Sequence, residues 1–421
     1  MKDSGIDWIR EIPVDWKVCR FKNVASLYTG NSISDLLKEH FEDSKDAYPY
    51  IATKDIDASF STVNYCNGLY VKYDNFSFSI APKNSSLMCI EGGSAGRKKA
   101  FINQDVAFVN KLCCFNGKET DPKYLYYFIS SPNYEEEFNN NITGLIGGVS
   151  VAVLKNFSYL LPTKEEQQII SNYLDSKCSK IDEYIAKQQQ LIEKLKEYKQ
   201  AIITEAVTKG LNPDVPMKDS GIEWIGKIPE HWIICKFGRC AKVKSNLVAP
   251  EQYMEYPQLS PECIEKNSAR LLSYNSVRES GVVSWNHLFY KGQIIYSKVR
   301  PLLNKVIIAP FDGLCSADMY PIETDSDNQF FVYLILSDYF HNQVAIVTEN
   351  RVKMPKINQD ELSNIYVAIP PLDEQQRISE FLFKKCKSID DLLEKKQTLI
   401  DRMTEYKKSL IYEVVTGKKE I

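Results

Sequence analysis

The sequence predicts an α+β protein in which two α+β domains are separated by two long antiparallel helices, a coiled-coil spacer, in a pseudo-twofold internal repeat. Three observations predict this. The opening "MKDSGIDWIREIPVDW" returns at 217–232 as "MKDSGIEWIGKIPEHW", and residues 1–25 match 217–241 at 14 of 25 positions. The stretch 162–208 returns at 370–416 with 22 identities in 47. Between these blocks lie two segments that match each other little, built of short β-type runs and short helical patterns. A repeat far longer than the roughly 20–50 residues of a solenoid unit marks a duplicated domain pair.

Residues 1–16 form the first constant segment, in which Gly5, Trp8, Pro13 and Trp16 are matched by Gly221, Trp224, Pro229 and Trp232. These tryptophans are expected to be core staples at the junction of domain and helix, since Trp is mostly buried. Residues 17–161 form the first variable domain. Its β-type runs "YPYIATKDID" and "DVAFVNKLCCF" and its helical pattern "DPKYLYYFISSP" are punctuated by Gly, Pro and Asn, which predicts an α+β domain.

Residues 162–210 form the first helical spacer. Ile181, Ile185, Ile192, Leu195, Ile202 and Ala206 recur at spacings of four and three, with Tyr184, Leu191 and Tyr198 alongside at sevens. "EEQQIIS" reads as a helix N-terminus after Pro162, where acids suit the helix dipole. Ser179 to Asp182 reads as a capping pair for a long helix over 181–208, about 42 Å long at 1.5 Å per residue. Gly210 reads as its stop. Residues 211–232 are the repeated constant segment and 233–369 the second variable domain, with "GQIIYSKVR" and "KVIIAP" as β-type runs. Residues 370–421 are the second spacer, where Ile389, Leu393, Ile400, Met403, Leu410 and Val414 repeat the register beside Leu392, Leu399 and Tyr406. Ser388 to Asp391 is its capping pair and Gly417 its stop. Each stripe must be buried, and the other copy is the partner at hand. Antiparallel packing then brings the end of the second helix near residue 1. The restated first line is the entry to a second equivalent domain.

Composition bounds the function. At 421 residues, with 44% apolar and 25% charged side chains, the chain is ordinary for a globular protein of two to three domains. No basic-then-apolar leader or long apolar run is present, so a cytoplasmic protein with no membrane partner is expected. Eleven cysteines without a CxxC pair, and four histidines without ligand spacing, predict reduced thiols and no metal site. Net charge is −3, which is not the bulk basicity of a chain that grips nucleic acid alone. Lysine and arginine balance aspartate and glutamate at 15 to 15 over 17–161 and 14 to 14 over 233–369.

Positive charge is nevertheless clustered. "GGSAGRKK" (92–99) sets Arg97, Lys98 and Lys99 on a glycine-rich turn where backbone amides can approach phosphate. "SKVRPLLNK" groups Lys298, Arg300 and Lys305, and "RVKMPK" adds Arg351, Lys353 and Lys356. The competing reading of each cluster is a solvated turn. No phosphate-binding GxxxxGK[ST] loop is present, since Arg97 stands five places after Gly92. A polar-Pro-Pro-aromatic methyltransferase loop and a Gly-rich cofactor turn are also missing, so catalysis by this chain is not expected.

The repeated motifs "MKDSGIxWIxxIPxxW" and "P-[TP]-x-[ED]-E-Q-Q-x-I-S", with "LYTGNSI…YPYIATKDID" (27–57), "IGGVSVAVLKNFSYLLP" (146–162), "YKGQIIYSKVRPLLNKVIIAP" (290–310) and "RVKMPKINQDEL" (351–362), resemble the specificity subunit of type I restriction-modification systems. The resemblance spans essentially the whole chain in order. It implies a non-catalytic subunit whose two target-recognition domains each read half of a split sequence in double-stranded DNA. The helices would set the gap and dock two methyltransferase subunits, to which restriction (translocase-nuclease) subunits are added. S-adenosylmethionine, ATP and Mg²⁺ would belong to those partners, with no cofactor in this chain. The candidate DNA contacts are Tyr28, Asn31, Lys54, Ser94, Arg97, Lys98, Lys99, Lys111, Ser297, Lys298, Arg300, Lys305, Arg351 and Lys353. Gln167, Gln168, Gln375 and Gln376 are the candidate partner contacts. Two other classes stay open on the sequence: a structural adaptor with duplicated binding domains, and a component of a related type II methyltransferase-nuclease system. DNA retention only with a methyltransferase present distinguishes the first reading from the adaptor. Methyl transfer by the chain alone would favour a fused enzyme.

Overall fold

Two interleaved units make up the chain: residues 1–189 with 397–421, and residues 190–396. The computed structural model describes residues 1–6, 9–144, 146–222, 225–349, 351 and 355–421. The expectations for Trp8, Trp224 and Lys353 lie outside the described residues.

In the first unit a four-stranded antiparallel sheet runs in the order Ala25–Thr29, Leu112–Gly117, Ser86–Cys89, Lys99–Phe101. A second sheet has the order Tyr70–Lys72, Ala47–Ile51, Val106–Phe108, Ile80–Ala81, with its two central strands parallel. Helices Pro122–Ile129 and Pro132–Asn140 follow, each opened by a side-chain cap and a proline, from Asp121 and Ser131. Around Phe21 the rings of Phe115, Phe128, Tyr134 and Tyr159 meet it at centroid distances of 5.0–5.9 Å, mostly edge to face. Phe21 is fully buried, so truncating it to alanine would cost about 3–5 kcal/mol.

The second unit has the same plan, although its sequence differs. Its four-stranded sheet is ordered Ala241–Val243, Met319–Thr324, Ile294–Ser297, Val306–Ile308. In its other sheet Pro257–Leu259 and Gly313–Cys315 form the parallel pair, flanked by Asn275–Ser276 and Asn286–Phe289. Helices Asn328–Leu336 and Asp338–Thr348 take the places of the earlier two. Phe237 sits where Phe21 does, packed against Phe331 and Phe340. Among the described residues no single helix is long and apolar enough to cross a membrane.

The long helices span Lys164–Lys209 and Leu372–Val415. The first has 46 residues, about 69 Å at 1.5 Å each. This corrects the expected start near residue 181. With no Gly or Pro between 163 and 209, nothing halts a helix begun at Lys164. The working capping box is Thr163 with Glu166: Thr163 Oγ1 accepts from the Glu166 amide (3.2 Å) and Glu166 accepts from the Thr163 amide (3.0 Å). Ser179 and Ser388 are mid-helix, and Ser388 Oγ donates back to the Lys384 carbonyl (2.9 Å). Gly210 (φ +76°) and Gly417 (φ +67°) end the helices in the left-handed conformation.

Within each unit the two helix segments are clamped by one repeated ion pair. Lys407 meets Asp182 at 2.6 Å in the first unit, and Lys199 meets Asp390 at 2.7 Å in the second. Ile181, Ile185, Ile389 and Ile400 of the predicted stripes are buried. In the first unit the chain end closes on its beginning, because Gly417 lies against Pro13 and Trp16. Ile203, Ala206 and Val207 join Ile378, Leu382 and Cys386 in the core of the second unit.

Candidate nucleic-acid interface

In each variable domain a hairpin loop is held to a short 3-10 turn by one lysine. Lys98, at the base of loop 90–98, donates its ammonium to the Thr53 carbonyl (2.8 Å). Lys305, at the base of loop 298–305, donates to the Pro261 carbonyl (2.6 Å). The turns are Thr53–Asp55 and Pro261–Cys263. Beside the first latch is an open cavity of about 490 Å³ lined by Lys54, Asp55, Asp57, Asn64 and Lys98. Asp55 shapes its wall by accepting from the Ala52 amide (2.9 Å) and Asn67 Nδ2 (2.7 Å).

Exposed cations gather at these edges. Lys54, Arg97 and Lys111 are exposed in the first domain. Arg300 is exposed in the second, as are Lys266 and Arg270, which the sequence reading passed over because they stand apart from the basic runs. Half-buried Lys298 rests its ammonium over the Tyr320 ring (5.2 Å to the centroid). Arg351 is exposed, but its guanidinium is engaged by the Lys356 carbonyl and Glu361.

Two predicted contacts, Lys99 and Ser297, turn inward and are corrected, while Tyr28 and Asn31 are half-buried. Lys99 is only 7% exposed; its ammonium donates to the Ile129 carbonyl (3.2 Å) and faces Glu135 (3.6 Å). Burial pulls its pKa below the ordinary lysine value, with Glu135 opposing. Ser297 is buried and donates to the Val299 carbonyl (3.0 Å). Tyr28 donates to the Ile80 carbonyl (2.7 Å), and burial raises its phenol. Asn31 accepts from the Ser79 amide (2.8 Å). Lys99 and Ser297 belong to hairpin strands in which neighbouring residues are buried on both faces, whereas the exposed cations Arg97 and Arg300 sit on the loops between strands. Most amides of the glycine turn are taken up within the protein. The amides of Gly92, Ala95, Gly96, Arg97 and Lys98 all donate to backbone carbonyls, and half-buried Ser94 serves the turn by accepting the last two.

The E-Q-Q-x-I-S motif also has an internal role. Gln167 is 1% exposed and Gln375 3%, so the expectation that they contact a partner is corrected. Gln167 accepts from the Asp121 amide (2.7 Å) and donates to the Pro162 carbonyl (2.9 Å). Gln375 does the same with Asp327 (3.0 Å) and Pro370 (2.9 Å). Ser171 and Ser379 donate to the carboxylates of Asp121 (2.6 Å) and Asp327 (2.5 Å), which cap the domain helices. Glu166 and Glu374 accept from the indoles of Trp16 (3.2 Å) and Trp232 (3.1 Å), two buried staples. Burial opposes the Glu166 charge, but hydrogen bonds from Thr163 and Trp16 outweigh it and hold the carboxyl below its usual range. One motif thus fastens helix, head segment and domain together. Gln168 and Gln376 remain exposed.

His287 had no signal in the sequence. It is buried, with Nδ1 lacking a hydrogen-bond partner. Burial and then the nearby Lys298 charge push its pKa below the ordinary value.

The family model described as the type I restriction modification DNA specificity domain matches residues 13–197 and 234–402. The chain is 28% identical over 383 residues to the type I restriction enzyme EcoDI specificity subunit of Escherichia coli, covering 87% of this chain and 80% of that protein. It is 25% identical over 400 residues to the MjaVIII specificity subunit of Methanocaldococcus jannaschii, covering 90% and 87%. A chain from a structure of type I R-M complex assembly and conformational transition superposes with a TM-score of 0.72 at 12% identity, covering 97% of this chain and all of that one. The HsdS subunit of Thermoanaerobacter tengcongensis gives 0.50 at 12% identity, over 97% and 98%.

Proposed function

Since the chain belongs to the type I restriction modification DNA specificity family, we propose that it is the sequence reader of a restriction-modification complex, each variable domain taking one half of a split, asymmetric site in double-stranded DNA. The observation that carries this reading is one scaffold used twice with different edges. The strand orders agree except for Leu247–Val248, which adds a fifth strand at one edge of the second domain's mixed sheet, while the loops on them carry unlike side chains. Two unlike edges read two unlike half-sites, and the helices set the gap between them. Lys54, Arg97, Lys111, Arg300 and Arg351 are the described candidates whose side chains reach solvent.

Chemistry is left to partners in this reading. Two methyltransferase subunits dock on the long helices, restriction subunits join them, and S-adenosylmethionine, ATP and Mg²⁺ act there. An apolar stripe supports the docking: Tyr184, Leu191 and Tyr198 on the first helix, and Leu392 and Tyr406 on the second, stay exposed. Both domains are charge-balanced, so the isolated chain binds DNA weakly and its partners supply much of the phosphate contact. The test is co-expression with the methyltransferase subunit, followed by single-molecule sequencing for modified adenine. A split motif that depends on both variable domains is expected. An assembled, cofactor-binding complex that leaves no sequence-dependent mark would refute the proposal.

A further inference from the structure

The two domains are alike enough to align position by position, and one pair of positions disagrees with backbone chemistry. The Cys89 amide donates to the Lys98 carbonyl (2.8 Å), as the Ser297 amide does to the Lys305 carbonyl (3.0 Å). The bridge Glu91–Gly148 matches Val299–Lys356. Gly92 donates its amide to the Gly147 carbonyl (2.7 Å), and Arg300 donates its own to the Pro355 carbonyl (2.8 Å). Gly92 and Arg300 therefore hold the same place, and both have positive φ, +85° and +47°. Glycine adopts that region freely, whereas an arginine there is strained.

The strain is not scattered. Of the eight non-glycine residues with positive φ among the described residues, Arg300 and Asn304 lie in the second hairpin loop, and Ser61, Asn267 and Ala269 lie in the bends that follow the two latched turns, closed by the bridges Ile56–Val63 and Ile264–Leu271. Strained backbone of this kind persists where surrounding contacts over-determine it, and it gathers at functional sites. The side chains across the latch differ as well. Exposed Lys54 of the first turn corresponds to exposed Glu262 of the second. Its own backbone amide and then Ser260 hold the Glu262 carboxyl below the usual range against the opposing burial, and the Lys305 and Arg300 charges add a smaller part.

We infer that Arg300 is a specificity-determining residue of the second domain, reading a guanine through its two parallel N–H donors. This rests on the DNA-recognition reading above. The scaffold is common to both domains, so what tells the two half-sites apart must be exposed side chains that differ at equivalent places. A guanidinium matches the O6 and N7 acceptors of guanine, which lysine cannot engage in the same paired manner. Phosphate attraction alone would not require a strained arginine, since a flexible lysine on relaxed backbone serves it.

The test replaces Arg300 by glycine, the residue the first domain uses there, and separately by lysine. Arg300→Gly keeps the amide that bonds Pro355 and removes the strain, so the thermal midpoint should hold or rise. With the methyltransferase subunits, both variants should lose discrimination at one G·C pair, about tenfold or more, in one half of the modified motif only. An unaltered motif from Arg300→Gly overturns the inference. So does a uniform loss of modification with the motif intact and a shallower salt dependence, which marks a phosphate contact. Wild-type complex without any split motif overturns the DNA-recognition reading itself, and so the two failures are told apart.

Discussion

Replacing Gln375 by leucine tests whether the E-Q-Q motif faces inward. Leucine keeps the volume and removes both hydrogen bonds, leaving the Asp327 amide and the Pro370 carbonyl without the partners they have at 3.0 and 2.9 Å. Gln375 is 3% exposed, so water reaches these groups only through local opening. Each orphaned buried group costs about 1–3 kcal/mol, and some relaxation is expected, so the pair should cost about 2–4 kcal/mol. The affected element is helix Asn328–Leu336, whose cap Asp327 is held by both Gln375 and Ser379. Hydrogen–deuterium exchange over 327–340 should quicken about 30- to 1,000-fold, since 1.4 kcal/mol is a factor of ten in an opening equilibrium. Gln376→Leu, at an exposed position, should leave the same peptides unchanged. Exchange altered by less than about threefold in Gln375→Leu would refute the anchoring argument and return the residue to the surface of a partner.

Three more outcomes are expected. Glu137 has one carboxylate oxygen without a partner, and burial raises its pKa against the opposing Ser158 amide and Arg20. A raised carboxyl stabilises below its unfolded pKa and loses that contribution as pH climbs through the folded value, so Glu137→Gln should raise the urea midpoint at pH 7 and not at pH 4. For His287 the shift is downward, so its neutral form contributes fully above the unfolded value near 6.5 and this is lost as pH falls; the second unit should weaken between pH 7 and 5.5, and His287→Gln should flatten that slope. Inserting four residues after Gln188 and four after Lys396, beside the points where the units divide, adds about 6 Å of helix and should lengthen the gap in the modified motif by one or two base pairs; an unchanged gap refutes the spacer.

Much of the architecture was legible because it is written in period and repetition. The heptad stripes, the terminal glycines and the doubled head segment are local patterns that any alignment of the chain on itself exposes. Helix starts were less legible. Ser179 and Asp182 have the composition of a cap, but a cap forms only where the chain is not already helical, and Thr163 with Glu166 had begun the helix earlier. The basic runs led to Arg97 and Arg300 correctly as exposed cations, yet grouped Lys99 with them. Lys99 begins a strand covered on both faces, and that cover comes from partners distant in sequence such as Ile129 and Glu135.

By itself, then, the sequence determined two domains, two long helices and a doubled arrangement, since periodicity and repetition are properties of the chain taken along its length. Only the tertiary structure decided that the two unlike variable segments share one strand order, apart from the edge strand Leu247–Val248 of the second. Their core contacts join residues far apart, and many apolar sequences fill the same pleated scaffold. It also decided which charges are spent indoors and that Arg300 stands where its counterpart is a glycine. Equivalence between positions with no sequence in common exists only in hydrogen bonds and backbone angles, which form when the fold closes.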